Sequence, residues 1–247
     1  MRSHLLADSG GLTYHVRALR YRQSLWQPFA MQVARWLAAW QPAQRELVII
    51  GPSAGYTLDA CFLARFSRIT ILEPDPLARR LLSRRFPAQH FERESLDCCA
   101  GIHGPAMLRA RFPQAAFLFS NVLGQVVSQL DPRWPQALLE AMQGASWASY
   151  HDLVACSEAP ARSGERHIKE DETLESLLAG FWAPDAPQGR RRILTLHDHG
   201  SFGVLPAQSC AVWSITPRQH HLVAWMSISV EGSSMTIPPM IGIGGRS

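Results

Sequence analysis

The sequence predicts a doubly wound α/β fold, a mostly parallel seven-stranded sheet that ends in an antiparallel hairpin. Three observations predict it. Leu47-Val48-Ile49-Ile50, Ile69-Thr70-Ile71-Leu72 and Ala115 to Ser120 lack the in-out alternation of half-exposed strands, as expected for strands covered on both faces. Segments with helical periodicity separate them, and right-handed crossovers between such strands leave few other topologies. Finally, two strand candidates, 210–216 and 222–230, are joined by Pro217-Arg218-Gln219-His220, a link short enough for a hairpin.

Taken in order, Pro28 opens a helix over 28–40 in which Phe29, Val33, Trp36 and Trp40 share a face, and Pro42 blocks its continuation. Residues 47–50 form the first strand. Leu58, Cys61, Phe62 and Phe66 predict a crossover helix over 57–66, and 69–72 the second strand. Asp75-Pro76 then reads as cap and first helical position; Ala78, Leu81, Leu82 and Phe86 face inward, Arg79, Arg80, Ser83 and Arg84 outward, and Pro87 closes the helix. A short third strand is expected at 90–93, the fourth at 115–121, a helix over 135–142 and a fifth strand within 148–157. The polar stretch that follows contains a helix with Leu174, Leu177, Leu178 and Phe181 inward, then a strand candidate at 193–198. The expected organisation is an N-terminal helical segment, 1–44, packed on a Rossmann-like domain, 45–234, with 158–209 on the substrate side. The Gly- and Pro-rich residues 235–247 read as a flexible tail.

Composition narrows the partners. A hydrophobic content of 47% with 18% charged residues suits one folded domain and excludes a disordered chain. No run of apolar residues is long enough to span a bilayer, and Asp8 interrupts any signal-peptide core, so a cytoplasmic location without membrane partners is expected. The five cysteines, Cys61, Cys98, Cys99, Cys156 and Cys210, show no C-x-x-C spacing and read as small buried hydrophobes. A net charge of +4 comes almost wholly from arginine, with Lys169 the only lysine, which points to a bias of the coding genome. The clusters Arg79-Arg80 with Arg84-Arg85 and Arg190-Arg191-Arg192 have no interleaved aromatic residues, so solvated faces are favoured over nucleic-acid binding.

The chemistry concentrates after the first strand. Gly51-Pro52-Ser53-Ala54-Gly55 is a small-residue turn that lets backbone approach a ligand, and Glu73 follows at the tip of the second strand, where a carboxylate suits two ribose hydroxyls. The competing reading is that Gly51 and Gly55 serve only close helix–strand packing. Histidines offer proton transfer near neutral pH. His197 and His199 share a strand face, which would suit a metal if a third ligand such as His151, Asp152 or His221 converged; no spacing demands that, and no metal centre is expected. Tyr150-His151-Asp152 lies close to the expected cleft, which makes His151 a candidate base.

These residues resemble the class I S-adenosylmethionine-dependent methyltransferases over roughly 45–157. The resemblance implies S-adenosylmethionine as cofactor, with Gly51, Ser53 and Gly55 cradling its methionine part, Glu73 binding ribose and Asp97 receiving the adenine amino group. Ser120-Asn121-Val122-Leu123-Gly124-Gln125 resembles the family's fourth-strand motif, which would put Asn121 against the cofactor and beside the transferred methyl group. Two departures bear on affinity: Ser53 replaces the middle glycine, and Ile50 stands where many members carry an acid. The family's Asn/Asp-Pro-Pro-aromatic motif is absent, which disfavours nucleic-acid amino groups and leaves a small molecule as the expected acceptor. The alternatives are a non-catalytic binding or scaffolding protein that kept the fold and, behind it, a nicotinamide-dependent oxidoreductase, against which the incomplete G-x-G-x-x-G and the terminal hairpin argue.

Overall fold

The computed structural model describes residues 11–183 and 195–230. Strands β1 (Glu46–Ile50), β2 (Arg68–Leu72), β3 (Phe91–Arg93), β4 (Ala115–Ser120) and β5 (Trp147–Cys156) run parallel. The hairpin β8 (Ser209–Thr216) and β9 (Gln219–Ile228) adds to them, with β9 antiparallel to β5. Two short strands extend this set: β6 (Arg166–His167) on the free edge of β8, and β7 (Leu196–Asp198) beside the last residues of β5. The sheet order is β3-β2-β1-β4-β5-β9-β8-β6 with β7 off this path beside β5, nine strands among the described residues where the sequence predicts a seven-stranded sheet and a further candidate at 193–198. β6 is the strand that no run of apolar residues announces. The arginines at 190–192 and the tail 235–247 lie outside the described residues, as do residues 1–10 of the N-terminal segment.

One face of the sheet is covered by a helix much longer than Pro28 suggests. It runs through α1 (Gly11–Tyr21), a π-helical turn at Arg22–Trp26 and α2 (Gln27–Ala39). Proline lacks an N–H and its ring collides with the carbonyl four residues back, so it normally ends or kinks a helix. Here the wider π turn immediately before it absorbs the mismatch, and the helix continues. The signal was present: Tyr14, Ala18, Tyr21 and Leu25 recur at helical spacing and pack on the same core as Phe29 and Val33. Trp26 Nε1 donates to the Ile215 carbonyl at 2.9 Å and Trp40 Nε1 to that of Ile228 at 3.1 Å, tying the helix to the final hairpin. Phe29 stacks on Trp213 with ring centroids 5.0 Å apart.

The crossover helix is shorter than expected. Asp59 caps α3 (Ala60–Leu63) by accepting the N–H groups of Cys61 and Phe62, so 57–59 is a loop, and Cys61 is exposed rather than inward. Cys98, Cys156 and Cys210 are buried as expected. α4 (Pro76–Arg85) starts where predicted, with the Asp75 carboxylate accepting the Leu77 N–H at 2.8 Å. On the opposite face α5 (Gly104–Arg111), which the sequence reading passes over, and α7 (Trp134–Ala141) pack with the fully buried Trp134 against β4. A third apolar cluster joins α8 (Leu174–Trp182) to β5, β8 and β9.

Candidate functional site at the carboxyl edge of the sheet

The loop after β1 reverses direction with three left-handed residues, Gly51 at φ 65°, Ser53 at φ 49° and Gly55 at φ 64°. Glycine adopts this region freely, whereas a serine there costs on the order of 1 kcal/mol. The Ser53 N–H donates to Glu73 Oε2 at 2.8 Å, which offsets that cost. A Cβ on Gly55 would meet Leu82 at 2.5 Å and Phe86 at 2.9 Å, so Gly55 also has the packing role against α4 that competes with a ligand role.

Glu73 is therefore a latch as well as a candidate ribose ligand. Its second oxygen accepts the Asp75 N–H at 3.0 Å. Each bond uses one lone pair, and a carboxylate offers about four, so one remains on each oxygen for a hydroxyl donor. Burial raises the Glu73 pKa, against the pull of those two N–H groups and of Arg79. Arg79 donates to the carbonyls of Glu73 at 2.6 Å and Pro74 at 2.9 Å, and the Arg85 guanidinium lies 5.0 Å from the Tyr56 ring centre. Two arginines of that outward cluster are thus committed within the fold.

Asp97 is exposed after β3, and its Oδ1 accepts the Cys99 N–H at 2.9 Å. Asn121 follows β4 in the left-handed region at φ 55°, a conformation asparagine tolerates better than most residues. Its side chain points to β5: Nδ2 donates to Asp152 Oδ2 at 3.3 Å. Beneath it the Tyr150 hydroxyl lies 2.6 Å from both Thr57 Oγ1 and Ser120 Oγ, a buried hydroxyl chain that joins the β1 loop to β4 and β5. Over this edge α1 places His15, whose Nδ1 is 3.0 Å from the Tyr56 hydroxyl and whose Nε2 is 3.7 Å from Asp75 Oδ2. The sequence reading assigns no site role to Tyr14, His15 or Tyr56.

A β-bulge shapes the far side. Register between β5 and β9 shifts between Asp152 and Val154, and the Leu153 carbonyl accepts the His199 N–H at 3.0 Å. Bulges of this kind re-aim side chains. The loop after β7 is thereby drawn over Asp152, whose own carbonyl accepts from Ser201 Oγ at 2.7 Å. His221 of β9 closes the group, with Nδ1 3.1 Å from Asp152 Oδ1. Burial pushes the Asp152 pKa up, but His221, His199 and Asn121 outweigh it and hold the carboxyl below its ordinary value. His197 stays exposed next to this group, its ring centre 4.9 Å from that of His199.

His151 goes elsewhere. It is fully buried, with Nδ1 3.3 Å from Ser149 Oγ, and burial draws its pKa down to about 4. Unfolded, it titrates near the ordinary value of 6.5, so between the two values the unfolded chain binds more protons and stability falls as pH falls. That contribution is complete above the unfolded pKa and is lost on the way down to about 4. Urea unfolding should show a loss of about 2 kcal/mol from His151 between about pH 7 and 5. Burial depresses His199 and His220 in the same direction. A His151→Gln variant should show a shallower slope; an unchanged slope would remove His151 as its source.

A hollow of about 300 Å³ lies over the sheet between Glu46, Arg68, Glu94 and Arg111, and another of about 570 Å³ is bordered by Arg162, Arg166 and Phe181; neither includes the glycine loop. At the loop itself a Cβ on Gly51 would stand 3.0 Å from that of Val122, and His15 Nδ1 lies 3.0 Å from the Tyr56 hydroxyl.

The strand order is that of a doubly wound sheet closed by an antiparallel hairpin, with the loop, Glu73, Asp97 and Asn121 all following the carboxyl ends of its parallel strands, the side on which open α/β sheets bind ligands. The sequence matches no protein-family model and no curated protein. Among solved structures the chain is similar to a protein described as a zinc-dependent alcohol dehydrogenase from Rhodobacter sphaeroides, at 16% identity and TM-score 0.37 over 50% of this chain and 46% of that one. It is similar to an S-adenosylmethionine-dependent methyltransferase from Anabaena variabilis, at 17% identity and TM-score 0.38 over 57% and 59%. The N-methyltransferase NodS from Bradyrhizobium japonicum, solved with S-adenosylhomocysteine, gives 12% identity and TM-score 0.43 over 92% and 95%. The match thus spans about half the length of the first two. Among the described residues no helix is long and apolar enough to cross a membrane.

Proposed function

We propose that the chain is an S-adenosylmethionine-dependent methyltransferase acting on a small molecule. The observation that carries this reading is the Glu73 latch: an acid at the tip of β2 holds the turn after β1 through the Ser53 N–H at 2.8 Å, on the ligand edge of this sheet order. The residues fit the cofactor in kind. Gly51 and Gly55 keep side chains out of the turn, Glu73 retains acceptor capacity for ribose hydroxyls, Asp97 is an exposed acceptor for an amino group, and Asn121 Oδ1 is buried without a partner.

The cofactor supplies a sulfonium methyl group with a good leaving group. What remains for the protein is to align the acceptor and exclude water, tasks for Asn121, Tyr14 and the side chains around Asp152. His151 fits poorly as a base, being buried and held neutral; His199 and His221 instead gather around Asp152, the carboxylate to which Asn121 donates. A second reading, a binding protein that kept the fold, is favoured by Ser53, a left-handed serine at φ 49° in the turn.

Titration calorimetry separates the readings. The first expects saturable binding of S-adenosylhomocysteine and none of NADH; binding of neither supports the second, and NADH alone the oxidoreductase.

A further inference from the structure

We infer that Asp152, His199 and His221 form a binding site for a divalent cation of the zinc class, with Asn121 beside it. The metal-ligand candidates converge as the sequence alone does not require, and no other such group of three arises among the described residues. One carboxylate oxygen and one ring nitrogen from each histidine lie within 4.8 Å of one another. Ligands of a tetrahedral ion with bonds of ~2.1 Å stand roughly 3.4 Å apart. Asp152 Oδ1 and His221 Nδ1, at 3.1 Å, already have that separation. His199 must close by about 1.4 Å at most, a side-chain adjustment for a residue followed by Gly200 in a loop.

The independent observation is a set of unsatisfied atoms. His199 Nε2 and Asn121 Oδ1 are buried with no hydrogen-bond partner beside the Asp152–His221 ion pair, whose Oδ1 and Nδ1 stand 3.1 Å apart. Each orphaned group costs roughly 1–3 kcal/mol, so two of them around one carboxylate–imidazole pair point to a missing common partner. Two imidazoles with one carboxylate select a borderline ion such as zinc over calcium or magnesium, which favour oxygen alone. Three protein ligands leave a position for water or for an exogenous oxygen or nitrogen donor.

This inference goes beyond methyl transfer and stands without it, so its test contains no cofactor. The full chain, free of any affinity tag and stripped with a chelator, is titrated with Zn2+ against a competing indicator and with Co2+ by visible absorption. One tight equivalent and the d–d bands of a four-coordinate site are expected. Losing even an outer partner of a metal ligand typically costs 10–100-fold, so His199→Ala and His221→Ala should each weaken binding by on the order of 100-fold. His197→Ala, outside the cluster, should leave it intact. If His221→Ala fails to fold, His199→Ala decides, because its loop lies outside the sheet's core. The absence of saturable binding, or wild-type affinity in His199→Ala, overturns the site.

Discussion

Replacing Glu73 by alanine is expected to abolish measurable binding of S-adenosylhomocysteine and to lower stability by about 2–4 kcal/mol. The second effect follows from the latch. The Ser53 and Asp75 N–H groups each lose a charged acceptor, and Ser53, at φ 49°, loses what holds it in a conformation serine disfavours. The first effect follows from removing the ribose acceptor and loosening the loop together. Glu73→Gln separates the two in part, since its amide oxygen keeps one acceptor for the loop while its NH2 group can accept neither the other loop N–H nor a hydroxyl. The account expects Glu73→Gln to melt between wild type and Glu73→Ala, and to remain folded while it binds S-adenosylhomocysteine at least about tenfold more weakly, a loss of roughly 1.4 kcal/mol. Wild-type affinity in a folded Glu73→Gln would confine Glu73 to a structural role.

Gly124→Ala is the other large effect. A Cβ there would run into the carbonyl oxygen and amide nitrogen of Asp152, and neither backbone atom can rotate away. The α6 turn (Leu123–Val126) would have to lift from β5, opening the 3.3 Å contact between Asn121 and Asp152. A cost of about 3 kcal/mol is expected, or roughly 6–12 °C in Tm for a domain of this size. Gly144→Ala is the control: that residue, unlike Gly124, is left-handed, at φ 67°, and has no atom within 4 Å of its added Cβ, so strain alone, about 1 kcal/mol, should appear. Equal losses in the two variants would show that contact with Asp152 is not what fixes Gly124.

The parallel half of the sheet was legible because β1, β2 and β4 are buried on both faces and their residues say so without alternation. The Asp75 cap was legible because its signal is local. The crossover helix was over-read, since Leu58 and Phe66 are buried as a helical face would bury them although only Ala60–Leu63 is helical between them. α1 was missed because Pro28 resembles a helix start, and only a π turn in the preceding residues lets the helix pass through it. At the site, sequence placed Gly51, Glu73, Asp97 and Asn121 at strand ends, but not the hydrogen bonds that bind Glu73 to the loop. The meeting of Asp152, His199 and His221 depends on the bulge at Leu153 and on β7, features of pairing that no residue spacing encodes. His151, adjacent in sequence to Asp152, points to the opposite face for the same reason that all neighbouring strand residues do.

The most direct test is a crystal structure of the chain grown with S-adenosylhomocysteine. The account predicts the adenosyl group at the carboxyl edge, its ribose hydroxyls on Glu73 and its thioether sulfur toward Asn121, with the Ser53–Glu73 bond retained. A ligand bound elsewhere, or a Glu73 carboxylate that touches only its own backbone while the ligand is present, would contradict it.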